Sequence, residues 1–157
     1  MSLFHELYER YARDVHRFAF YLCGDRALAD DITSETFVRA WSSDTEVRLA
    51  TAKAYLFAIA RNLVNAERRR GRRLTTLDEL AAQPGREPGA EQSMRLAETL
   101  GALETLNEAD RAALLMRAEH GMDYATIANT LGVSEGAAKV RVHRARATMA
   151  RMMGVKR

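Results

Sequence analysis

The sequence predicts an all-α chain of two small helical domains joined by a linker, the C-terminal one a four-helix domain with a helix-turn-helix. Three observations carry this. Apolar residues recur at three- and four-residue steps along the periodic stretches, and no stretch reads as a strand or an internal repeat. Both prolines, Pro84 and Pro88, fall with Gly71, Gly85 and Gly89 in one span that breaks the helical pattern. Residues 123–146, DYATIANTLGVSEGAAKVRVHRAR, read as two short helices about a tight turn. The domains are placed at 1–71 and 95–157, with the linker at 72–94.

In the first domain, residues 3–22 form a helix whose core face is Phe4, Leu7, Tyr8, Tyr11, Val15, Phe18 and Leu22. Gly24 ends it and Asp25 caps the next. Residues 26–42 form a second helix with the stripe Leu28, Ile32, Thr36 and Ala40, and with Phe37 and Trp41 beside it. Asp30, Asp31 and Glu35 cluster on its other side. That cluster is either a solvated acidic face, favourable near a helix N-terminus, or a docking face for a basic partner. Residues 42–49 read as a loop. The third helix runs from about 51 to 70, with Ala52, Leu56, Ile59, Leu63 and Ala66 inward and Arg61, Asn65 and Arg68 sharing another face. Tyr55 and Phe57 precede the cations and either stack on unpaired bases or belong to the core. The arginines Arg61, Arg68, Arg69, Arg70, Arg72 and Arg73, opposed only by Glu67, exceed what a helix C-terminus needs for its dipole.

The linker is extended, with room for a short helical turn at 77–81. Residues 95–107 resume the pattern with Leu96, Leu100, Leu103 and Leu106; Asn107 and Asp110 punctuate; residues 109–120 make a further helix that Gly121 stops. In the helix-turn-helix, Asp123 caps a helix carrying Ile127, Ala128 and Leu131, and Gly132 supplies the left-handed residue that ends it. Val133 plugs the corner. Ser134 caps a last helix with Ala138, Val142, Ala145 and Met149 inward and Lys139, Arg141, His143, Arg144 and Arg146 outward. No acidic residue follows Gly136, whereas a merely solvated face mixes signs. The stretch therefore reads as a DNA-binding element.

Charge placement agrees. The chain has 157 residues, 47% of them hydrophobic, and a formal net charge of only +3. Residues 78–110 are strongly acidic, so two basic patches flank an acidic segment, as two contacts with one polyanion require. Cys23 is the single cysteine, which excludes an internal disulfide and fits a reducing cytoplasm; it reads as a small buried hydrophobe. His5, His16, His120 and His143 have no metal-binding spacing with it. No metal and no cofactor are expected. The N-terminus is too polar for a signal peptide, and no run is long enough for membrane insertion. An enzyme acting on nucleic acid lacks support, because no carboxylate cluster or nucleophile–base pair stands in a recognisable frame.

Three stretches together resemble one family: ADDITSETFVRAW (29–41), AYLFAIARNLVNAERRR (54–70) and LNEADRAALLMRAEHGMDYATIANTLGVSEGAAKVRVHRAR (106–146). They look like the extracytoplasmic-function (ECF) sigma factors, promoter-recognition subunits of bacterial RNA polymerase. The resemblance implies that Asp30, Asp31, Glu35, Phe37 and Trp41 bind core RNA polymerase. It implies that Tyr55, Asn62, Asn65, Arg68 and Arg69 melt and read the −10 promoter DNA, and that the helix-turn-helix reads the −35 element. There Ser134, Glu135, Lys139, Arg141 and Arg144 divide between bases and phosphates, with Glu135 and Lys139 expected on bases and Arg141 and Arg144 on the backbone. The linker is expected to thread toward the RNA exit path. The free protein is expected to be held inactive, by an anti-sigma factor or by its two domains packing together. The chain departs from the family's usual pattern at Tyr55 (commonly Trp), Ala66 (commonly Asp), Ala137 and Ala138 (commonly Thr-Val) and Val140 (commonly Ser), so the −35 sequence does not carry over. A free-standing helix-turn-helix regulator remains the rival reading, although it leaves the acidic helix and the 54–70 stretch without a task.

Overall fold

A computed structural model describes residues 2–43, 47–71 and 90–154. Among them all regular structure is helical. Helix α1 spans Leu3–Cys23; Ser2 caps it by accepting from the His5 N–H at 3.2 Å, and Gly24 ends it at φ 75°. Helix α2 spans Arg26–Ser42, where the Asp25 carboxylate accepts from the Leu28 N–H at 3.0 Å. A 3₁₀ turn, Leu49–Thr51, leads into α3, Ala52–Arg69. Helices α4 (Ala90–Glu104), α5 (Glu108–Leu114), α6 (Tyr124–Leu131) and α7 (Glu135–Met152) follow. Asn107, Asp123 and Ser134 are side-chain caps of the last three.

Two boundaries differ from expectation. Helix α4 begins at Ala90, so residues 90–94 belong to it and not to a linker ending at 94. Once past Pro88 and Gly89 nothing opposes helix, and Glu91 and Arg95 add an i,i+4 pair at 2.6 Å. The expected helix 109–120 is α5 followed by a π turn, Leu115–Glu119, which Gly121 closes at φ 64°. The turn expected at 77–81 lies outside the described residues.

In the first domain α1, α2 and α3 pack on one another around Val15, Phe18, Leu22, Leu28, Leu56, Phe57 and Val64, each at most 2% exposed. Burying each such side chain contributes roughly 1.5–3 kcal/mol. Thr36 is fully buried but bonds its hydroxyl to the Ile32 carbonyl at 2.7 Å, so that hydroxyl is not stranded. In the second domain α5 and α6 pack on α7 around Ala112, Met116, Ile127, Ala138, Val142 and Ala145. Cys23 is buried as expected, and burial pushes its thiol up to about 11.

The two domains meet in one continuous apolar cluster. Phe18 of α1 and Phe57 of α3 stack at 4.3 Å, and His120, just past α5, stands edge-on to both, 4.7 Å from Phe57. Buried Arg111 of α5 donates to the Leu22 carbonyl of α1 at 2.8 Å and to the Leu103 and Leu106 carbonyls at 2.8 and 3.0 Å. Carbonyl oxygens thus accept from the guanidinium of this buried cation, while the Glu104 and Glu108 charges favour it from further off. Burial brings Arg111 down to about 10, still protonated at neutral pH.

Candidate nucleic-acid interface

The acidic side of α2 and the open side of α3 border one cleft, lined by Asp31, Glu35 and Arg39 opposite Asn62, Arg69 and Arg70. Asp30, Asp31 and Glu35 are all exposed. Asp30 lies 2.7 Å from His16, and Glu35 pairs with Arg39 at 3.0 Å. Phe37 and Trp41, one turn apart, separate: Trp41 is 70% exposed whereas Phe37 is 2% exposed. Phe37 is a core residue in this fold, covered by the Phe4 and Tyr8 rings at 6.4 and 5.0 Å. On α1 and α2 the large apolar side chains left exposed are Leu3, Tyr8, Val38 and Trp41.

Along α3 the −10 set also divides. Asn62 and Arg69 are exposed, and Tyr55 and Asn65 are half-buried. Arg68 points the other way: its guanidinium reaches the same Leu22 carbonyl as Arg111, at 2.8 Å, and its Nε is buried. Arg61 pairs with Glu108 of α5. Helix α3 therefore presents one basic face outward, turns Arg68 back onto α1 and commits Arg61 to the second domain.

On α7, Ser134 is the cap, its Oγ accepting from the Ala137 N–H at 3.1 Å. Glu135 and Lys139 are exposed, and the Lys139 ammonium lies 5.4 Å from the Tyr124 ring centre. Arg117 lies over that ring too, at 4.5 Å, so the aromatic opening α6 has two cations at its ring. Arg141 and Arg144, expected to hold phosphate, both bind Asp110: Arg144 is bidentate at 2.7 and 2.8 Å, and Arg141 donates at 3.0 Å. Asp110 is 3% exposed, and the two guanidiniums, Arg144 foremost, hold its carboxyl below the usual carboxylate range. In this arrangement both arginines anchor α7 to α5.

Sequence reasoning took Asp110 for punctuation and did not foresee Glu108 and Arg111 as partners of residues far along the chain. Val140, whose departure from the family's usual serine changes a groove-facing side chain, and His143, expected on the outward face, are both exposed on α7.

Among the described residues no helix is long and apolar enough to cross a membrane. A family model described as sigma-70 region 2 matches residues 7–74, and one described as sigma-70, region 4 matches residues 96–149. The chain is 36% identical over 153 residues to the ECF RNA polymerase sigma factor SigE of Mycolicibacterium smegmatis, a match covering 93% of this chain and 60% of that protein. It is 33% identical over 148 residues to the ECF RNA polymerase sigma factor SigL of Mycobacterium tuberculosis, covering 90% and 84% respectively. Its fold is similar to that of the sigma factor RpoE in complex with the anti-sigma factor NepR from Bartonella quintana, with a TM-score of 0.76, 27% identity and 98% of each chain covered. CnrH, in complex with the cytosolic domain of CnrY, shares the fold at a TM-score of 0.72 and 23% identity.

Proposed function

The chain belongs to the sigma-70 family, in its extracytoplasmic-function group, and on that footing we propose that it directs promoter-specific initiation by core RNA polymerase in response to a stress or envelope signal. The observation that carries the reading is the pairing, in one chain, of a region 2 with an exposed acidic face and a region 4 whose last helix turns an acid-poor face to solvent. In this reading Asp30, Asp31, Glu35 and Trp41 dock on core polymerase, and Phe37 shapes that surface from beneath. Asn62, Asn65, Arg69 and Tyr55 meet the −10 DNA, joined by Arg68 once it leaves the Leu22 carbonyl of α1. Glu135 and Lys139 face the −35 bases.

An anti-sigma factor fits as a further partner. The sigma factor RpoE of similar fold is in complex with one, NepR. In this chain an apolar cleft lined by Tyr21, Leu103, Leu114, Leu115 and Met149 runs between the domains, the right lining for an apolar helix face.

The test is transcription with core polymerase on a genomic fragment library. Discrete start sites that depend on the added protein support the reading, as does stoichiometric co-purification with core enzyme. A protein that binds duplex DNA unaided and adds no start sites is instead the free-standing regulator.

A further inference from the structure

Helix α7 buries Ala138, Val142 and Ala145 completely. At about 3.6 residues per turn, Val140 stands some 200° from Ala138, at the apex of the opposite face. It is 58% exposed. A lone exposed valine is ordinary on a protein surface; this one is distinguished by its place. The same ridge holds Gly136 one turn before it and His143 one turn after, both exposed. A side chain added at Gly136 would meet nothing within 4 Å, so the ridge is open there. The charged residues sit to either side, Lys139 against the Tyr124 ring and Arg144 on Asp110. The flanks are held by the protein, and the crest, without lysine, arginine or carboxylate, is left to the groove.

A helix lying in the major groove sets its crest on base edges, and its flanking side chains reach either neighbouring base edges or the phosphate walls. An isopropyl group neither donates nor accepts, so it cannot read N7, O6, N4 or N6. The apolar feature a base pair displays in that groove is the thymine C5-methyl. We infer that Val140 is a specificity-determining residue that reads a thymine methyl in the −35 element, with Gly136 leaving room for the backbone to come close. The inference rests on the proposed docking of α7 at the −35 element, and it supplies a base preference there.

The experiment uses holoenzyme reconstituted from core polymerase and the full chain. The probe is the strongest promoter that the wild type selects from a randomised −35 library, remade as synthetic duplexes with each −35 thymine replaced singly by deoxyuridine. Deoxyuridine pairs as thymine does and lacks only the methyl. The wild type should lose about three- to tenfold in initiation at one position, the scale of one buried methyl and its contacts. Val140→Ala should lose a similar factor on the thymine promoter and nothing further on the deoxyuridine duplex at that position. Wild-type holoenzyme that depends on the −35 sequence yet tolerates deoxyuridine at every position overturns this inference alone. Equal deoxyuridine sensitivity in Val140→Ala does the same. Initiation indifferent to the −35 sequence altogether overturns the docking of α7 as well. Val140 lies outside the core, so the variant folds, and its undiminished initiation from −35-independent templates verifies that.

Discussion

Arg61 of α3 and Glu108 of α5, 47 residues apart, form a bidentate ion pair at 2.6 and 2.7 Å. Their side chains are 18% and 23% exposed, so solvent screens the pair less than a surface one. The same turn of α5 places Asp110 on α7 and Arg111 on the end of α1. Three residues within one helical turn thus grip three other helices, two of them in the first domain.

That clasp opposes the proposed task. A compact chain of this length has a radius of gyration of about 15 Å. The −10 and −35 elements lie about 25 base pairs apart, roughly 85 Å of duplex at about 3.4 Å per step. One closed body cannot cover both. Glu108→Arg places a cation against Arg61 and should open the clasp, raising the small-angle scattering radius of the free protein while circular dichroism stays helical. Scattering identical to wild type would show that the pair does not hold the domains together.

His120 gives the same interface a pH dependence. Burial, with Lys53 nearby, pushes the imidazole down to about 4, and its Nε2 is buried without a hydrogen-bond partner. Asp14 acts the other way, and Arg17 with Lys53. In an open or unfolded chain the group titrates near 6.5. Between those values the closed form binds fewer protons, so its stability rises with pH and is lost as pH falls from about 6.5 toward 4. Wild type should melt lower at pH 5 than at pH 7, and His120→Leu should flatten that dependence. An imidazole titrating near 6.5 by NMR in the closed protein rules this out.

What the sequence made legible was local. Gly24 with Asp25, and Gly132 with Ser134, announce helix ends because caps and left-handed glycines act within a few residues. The inward stripe of α7 followed from period alone. The clasp did not, since Arg61–Glu108 and Arg111–Leu22 join residues with no spacing rule between them. Phe37 was ambiguous for another reason: α2 is apolar on adjacent faces, and only the position of Phe4 and Tyr8 decides which ring is covered. The early start of α4 was hidden by the composition of the preceding proline and glycine span.

Docking on polymerase is expected to depend on the exposed acids of α2. Glu35 makes a surface i,i+4 pair with Arg39, worth about 0.3–0.5 kcal/mol, so its reversal costs the fold little. Asp31→Lys with Glu35→Lys should abolish association with core polymerase without unfolding the domain, as circular dichroism checks, and Trp41→Ala should weaken it. A double variant that assembles holoenzyme at wild-type affinity would place the docking surface elsewhere.

Lys139 and Arg144 should separate by readout. Lys139 is exposed beside the reading crest and owes the fold only its approach to the Tyr124 ring. Lys139→Ala should therefore relax preference at one or two −35 positions, at about 1–3 kcal/mol on the preferred site. Arg144 is different because Asp110 is buried beneath it. Arg144→Ala should weaken all promoters alike and lower the salt slope by about one, as loss of a phosphate contact does. It should also destabilise the second domain, since the carboxylate keeps only Arg141. The Asp110 carboxyl is held below its ordinary value, so its contribution is present above the unfolded pKa and disappears as pH falls through the folded one. The stability loss in Arg144→Ala should then be largest near neutral pH and shrink in acid. Asp110→Asn removes the buried charge, and in that background Arg144→Ala should cost little stability while still lowering the salt slope. Initiation from a randomised −35 library at two salt concentrations, read beside melting curves, decides it: a shifted base preference in Arg144→Ala, or an unshifted one in Lys139→Ala, reverses the assignment.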